Sequence, residues 1–99
     1  MTSNVFKSVW DAIADTPEEA ENLKARAALM HHIRARIEKD GLTQTKAAAL
    51  YGVTQPRMSD LLRGKIDLFS LDMLVVMLAR SGQTVEIKVR AATRTRVTA

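Results

Sequence analysis

The sequence predicts an all-α domain, a small helical bundle that carries one short β-strand at its C-terminal end. Three observations predict it. Side-chain caps and glycine stops divide residues 16–82 into four helical segments. Apolar residues recur within them at three- and four-residue spacing. At Thr84 the period changes to two, with Val85, Ile87 and Val89 alternating with Glu86, Lys88 and Arg90.

Ninety-nine residues suffice for one domain with a small core, and 46% hydrophobic residues with 4% aromatics point to a core of Leu, Ile, Val, Met and Ala. The chain divides into an acidic and aromatic arm (1–16), a helical domain (17–82), a strand (83–90) and a flexible basic tail (91–99). The absence of cysteine excludes a disulfide framework and a thiol nucleophile. No signal peptide is legible at the start, and the longest apolar run, residues 73–79, is too short to cross a bilayer. A soluble cytoplasmic protein with no membrane partner is expected. The net charge of +4 hides an asymmetry: residues 1–21 hold five acids and one base, the rest fourteen bases and six acids. A basic body suits a polyanionic partner.

In the arm, Phe6, Val9, Trp10 and Ile13 share one face of a short helical pattern. That face either folds back on the core or docks a protein partner, with Phe6, Trp10, Asp11 and Asp15 as the candidate surface. Thr16-Pro17-Glu18-Glu19 then starts a helix, with threonine as cap and proline in the first turn. It runs toward Lys39, with Leu23, Ala27, Met30, Ile33 and Ile37 inward and Gly41 past its end. His31 and His32 are adjacent and point to different sides of that helix, so they do not make a metal site.

Residues 42–65, LTQTKAAALYGVTQPRMSDLLRGK, hold two short helices. Thr43 caps the first, Gly52 stops it, and Thr54 caps the second with Pro56 in its first turn. Val53, Met58, Leu61 and Leu62 supply the inward face, while Gln55, Arg57, Ser59, Asp60 and Arg63 are polar. Two helices joined by a three-residue turn containing glycine form a helix-turn-helix, whose second helix can enter the major groove. Ile66, Leu68 and Phe69 should close over the core, and Ser70 caps a last helix to Ser81 with Leu71, Leu74, Val75 and Leu78 inward. Met73, Val76 and Met77 widen its apolar face, through deep burial or a dimer contact. A lone strand leaves its backbone unpaired. Val85, Ile87 and Val89 are therefore expected to pair with the same strand of a second subunit, making a homodimer.

The residues Leu42-Thr43-Gln44, Ala47-Ala48, Gly52-Val53, Gln55-Pro56-Arg57 and 59–65 resemble the XRE family of lambda-repressor-like (Cro-type) helix-turn-helix domains. Tyr51 departs from the leucine common before the turn glycine. The resemblance implies a lambda-repressor-like bundle and a repressor of double-stranded DNA at a palindromic operator. It also implies base readout by Gln55, Pro56, Arg57, Ser59 and Asp60, and phosphate contacts from Thr43, Gln44, Lys46, Arg63 and Lys65. Side-chain chemistry agrees: Gln suits adenine, Arg suits guanine, and Asp accepts from cytosine. Pro56 offers only apolar contact.

Over residues 4–90 the chain also resembles the HigA-like antitoxin branch of that family, in Asn4-Val5-Phe6, Phe69-Ser70-Leu71-Asp72 and Val85-Glu86-Ile87. This implies a toxin–antitoxin pair with a small basic RelE/HigB-like toxin and control of its own promoter. The alternative is a stand-alone repressor without a toxin. An enzyme is not expected, for the chain shows no nucleophile triad, phosphate-binding glycine loop or metal-ligand cluster. No cofactor and no metal are implied.

Overall fold

The computed structural model describes residues 16–91. The expected partner surface at Phe6, Trp10, Asp11 and Asp15, and the tail beyond residue 91, lie outside the described residues. Among the described residues four α-helices form: α1 (Pro17–Asp40), α2 (Gln44–Tyr51), α3 (Gln55–Leu62) and α4 (Leu71–Arg80), with a 3-10 turn at Ile66–Leu68 before the last.

Each start follows from a hydroxyl cap. Thr16 Oγ1 accepts from the Glu19 amide at 3.1 Å, Thr43 Oγ1 from Lys46 at 3.2 Å, Thr54 Oγ1 from Arg57 at 3.2 Å, and Ser70 Oγ from Met73 at 3.1 Å. Each satisfies an amide that the helix leaves without a partner. The stop of α2 is set by Gly52, whose φ of 71° is left-handed and whose amide returns to the Ala48 carbonyl.

α1 packs on α4 and α3, while α2 packs on α3 and α4. The core between them contains Met30, Ile33 and Ile37 of α1, Ala47, Ala48 and Tyr51 of α2, Met58 and Leu61 of α3, Phe69, and Leu74, Met77 and Leu78 of α4. Ala47 and Ala48 are small where α2 meets its neighbours, which lets the helix axes approach. Tyr51 fills the position before the turn glycine and is fully buried.

Two expectations change. Val75 lies toward solvent at 36% exposure, and Met77 takes the inward place at 1%. Leu74, Met77 and Leu78 are three and four residues apart and share one helix face, whereas Val75 sits at its margin. Leu68 is also 44% exposed. A three-residue turn returns Ile66 and Phe69 to the same side, so those two meet the core and Leu68 faces outward. In the single chain, residues 83–91 form neither helix nor strand. The strand expected there is not formed within one chain, because the described residues supply no second strand to pair its backbone. Val85 packs against the core, while Ile87 and Val89 are 76% and 90% exposed.

Candidate nucleic-acid interface

The turn Gly52-Val53-Thr54 brings the N-termini of α2 and α3 together. Thr45, in the first turn of α2, accepts a 2.8 Å hydrogen bond on Oγ1 from Nε2 of Gln55, the first residue of α3. The exposed first turns therefore share one surface, with Thr43, Gln44, Thr45 and Lys46 beside Gln55 and Pro56. Helix N-termini carry unpaired amides and positive dipole ends, so such a surface favours phosphate. The first turns of α2 and α3 contain no acid to oppose that field.

Further along α3 the expected base readers have different surroundings. Ser59 is half-buried and Asp60 is partly covered. Asp60 Oδ1 lies 3.7 Å from Lys65 Nζ, so its ionic partner is Lys65 beyond the helix and not a neighbouring arginine of α3. The Lys65 amide also bonds the Asp60 carbonyl at 3.1 Å, folding the backbone back to permit the pair. Arg57 turns toward the connector: Nη1 donates to the Leu68 carbonyl at 3.2 Å and the guanidinium stands 5.6 Å from the Phe69 ring centre. A guanidinium has five N–H donors, so this bond leaves others for a ligand. Lys46 and Arg63 are exposed, with no ion pair among the described residues.

Four further arginines hold main-chain carbonyls of other elements, and sequence reasoning assigned them no role. Arg34 Nη2 donates to the Leu62 carbonyl at 2.8 Å, satisfying an end that α3 leaves open. Arg80 Nη1 donates to Gly52 at 2.9 Å, and Arg36 Nη1 reaches Ser81 at a longer 3.5 Å. Arg26 Nη1 bridges the Ile66 and Phe69 carbonyls at 3.1 and 3.3 Å. An advance signal was arginine at positions 26 and 34, eight residues apart on one side of α1, whereas Arg36 also has an acid one turn on, with Nε 3.5 Å from Asp40 Oδ2. Much of the positive charge thus braces the fold, which narrows the free cations at the surface of the described residues to a few.

The Tyr51 hydroxyl is buried without a hydrogen-bond partner of good geometry. Burial raises its pKa above the ordinary value, against smaller lowering effects of nearby Arg36 and Ser81. Among the described residues no group of three or more His, Cys, Asp or Glu side chains is placed to hold a metal. No helix there is long and apolar enough to cross a membrane.

Two short helices with adjoining, exposed N-termini and a glycine turn define a helix-turn-helix DNA-binding module. A family described as "Helix-turn-helix domain" matches residues 12–90, most of the chain, and the chain belongs to that family. Among solved structures it is similar to a "Putative XRE Family Transcriptional Regulator", with 35% identity, a TM-score of 0.68, and coverage of 79% of this chain and 88% of that one. No curated protein matches the chain.

Proposed function

We propose that this protein is a sequence-specific transcriptional repressor that binds double-stranded DNA as a homodimer and performs no chemistry. The observation that carries the reading is the shared surface of the α2 and α3 first turns, exposed and joined through Gln55 and Thr45. α3 enters the major groove, with Gln55, Pro56, Arg57, Ser59 and Asp60 toward base edges. Thr43, Gln44, Lys46, Arg63 and Lys65 hold the flanking phosphates. The structural relative named as an XRE-family transcriptional regulator supports that role.

Dimerisation through residues 85–89 supports a palindromic site, with the two α3 helices about one DNA turn, ~34 Å, apart. Ile87 and Val89 are apolar, alternate with charged residues, and stand exposed in the single chain. A second chain supplies both the missing ladder and the apolar cover.

The same protein is proposed to be the antitoxin of a toxin–antitoxin pair and to repress its own promoter. This part rests on the resemblance of residues 4–90 to the HigA-like branch and on the acidic leader. A neighbouring reading frame encoding a small basic protein that co-purifies with it distinguishes this role from a stand-alone repressor.

Fluorescence anisotropy with the DNA upstream of its own gene, against a scrambled duplex at two salt concentrations, tests the central reading. Preference for the upstream DNA that survives the higher salt supports it. Equal, salt-sensitive binding to both duplexes leaves only a basic surface and overturns it.

A further inference from the structure

We propose that Arg26 is a positioning residue: by fixing the connector between α3 and α4, it aims the Arg57 guanidinium at a guanine edge. The inference rests on the DNA-binding reading above and deepens it at one base pair. Two arginines from different helices converge on residues 66–69. Arg26 of α1 donates from Nη1 to the Ile66 and Phe69 carbonyls at 3.1 and 3.3 Å. Arg57 of α3 donates from Nη1 to the Leu68 carbonyl at 3.2 Å, with its guanidinium 5.6 Å from the Phe69 ring centre.

The connector needs such support. Its 3-10 turn spans only Ile66–Leu68, and Asp67 and Leu68 are exposed. Hydrogen bonds of a 3-10 turn have poorer geometry than those of an α-helix, so outside donors matter more to its shape. The two carbonyls that Arg26 holds flank Leu68 in the chain, and the grip therefore sets where the Leu68 carbonyl points. Phe69 is fully buried and gives the Arg57 plane a fixed platform.

Donor counting then assigns the ligand. With Nη1 drawn to Leu68, the Nε and Nη2 hydrogens of Arg57 lie along one edge and point the same way. They take no bond among the described residues. Two parallel donors match guanine, which presents the acceptors N7 and O6 in the major groove. Adenine presents an acceptor beside a donor, so one N–H of the pair would face another. Phosphate accepts the same pair of donors, and the test separates the two. Arg26 itself needs no contact with DNA.

The test uses the full chain and its upstream DNA, with each base pair of the site substituted in turn. Arg57→Ala, Arg26→Met, Arg26→Gln, Arg26→Lys and the double variant Arg26→Met with Arg57→Ala are compared with wild type by anisotropy. Thermal melts check folding, and either neutral Arg26 variant suffices if the other fails to fold. NMR of the free protein reads the Arg57 Nε–H resonance, which the Phe69 ring displaces. Arg57→Ala is expected to lower the guanine-over-adenine ratio at one base pair by about tenfold. Arg26→Met and Arg26→Gln lower the same ratio by about fivefold, the low end for a bidentate pair. They also return the Arg57 resonance toward that of a free arginine, with the salt slope unchanged. Arg26→Lys keeps a charged donor and restores both readouts. The double variant has no lower ratio than Arg57→Ala alone.

Equal weakening of all sequences by the Arg26 variants, or an undisturbed Arg57 resonance, overturns the inference and leaves the DNA-binding reading standing. A further fall of the ratio in the double variant does the same, because Arg26 would then act without Arg57. Uniform weakening by Arg57→Ala with a shallower salt slope places Arg57 on a phosphate and also overturns it. Wild-type protein without any sequence preference overturns both.

Discussion

Arg80 and Gly52 meet across the helix-turn-helix turn: Nη1 of the arginine donates to the glycine carbonyl at 2.9 Å, and a Cβ on Gly52 would come within 2.6 Å of the arginine Cδ. The end of α4 thereby braces the link between α2 and α3. Gly52 serves twice, through its left-handed φ of 71° and through the space it leaves to the arginine. Gly52→Ala is expected to lose about 1–2 kcal/mol through backbone strain, with a smaller steric part because the arginine is flexible. Arg80→Ala alone should lose at most about 1 kcal/mol, since its bond is exposed. In the double variant the new Cβ meets no guanidinium, so the loss should fall below the sum of the two. Urea unfolding of all three variants measures the difference.

Arg34→Met should destabilise the domain by about 1.5 kcal/mol, the lower range for a charged hydrogen bond, because the Leu62 carbonyl loses its 2.8 Å donor. For a domain of this size that corresponds to a fall in Tm of about 4–8 °C per kcal/mol. Any loss of DNA affinity should be the same on every sequence. A change confined to one base pair would show instead that Arg34 sets the pose of α3 for readout.

Arg57→Ala should have two separable effects. Thermal unfolding of the free protein should show a loss of about 1 kcal/mol from the Leu68 and Phe69 contacts. On the operator, a further loss of about 1–3 kcal/mol at one base pair is expected. Equal weakening on all sequences with a shallower salt slope would move Arg57 to a phosphate.

Tyr51→Phe should leave stability unchanged or raise it slightly, because the buried hydroxyl has no good partner to lose. Its raised pKa sets the sign of a pH effect. Below the ordinary tyrosine value the phenol is neutral in both folded and unfolded chains, and this group's stability is fully present. As pH rises through that value, near 10, the unfolded chain ionises first and stability falls until the folded pKa is passed. Melts of wild type should therefore decline above about pH 10 more steeply than those of Tyr51→Phe.

If the proposed dimer forms through residues 85–89, Ile87→Asp should separate it while leaving the helical content of one chain intact, because the side chain is 76% exposed within that chain. Analytical ultracentrifugation reads the mass and circular dichroism the fold. A dimer that persists would move the interface away from this segment.

Most of the helical frame was legible because caps and stops are local. Thr16, Thr43, Thr54 and Ser70 each bond an amide three residues on, and such spacing is visible in the chain itself. Burial along α1 was also legible at Leu23, Met30, Ile33 and Ile37. The margin of α4 was less so: Val75 and Met77 are both apolar, and only the direction of the packed neighbours separates them. At the surface, residue types proposed α2 and α3 as the DNA-facing pair, but not the bond from Gln55 to Thr45, ten positions away.

The sequence by itself determined where the helices begin and end, the turn at Gly52, and the polar face of α3, since each depends on residues within one or two helical turns. Tertiary structure alone decided which cations brace the fold. Arg26, Arg34, Arg36, Arg57 and Arg80 donate to carbonyls between 11 and 45 positions distant. A long guanidinium side chain reaches many places, and the carbonyl it meets is set by how the helices pack. Asp60 followed the same rule, pairing with Lys65 once the chain folded back after α3.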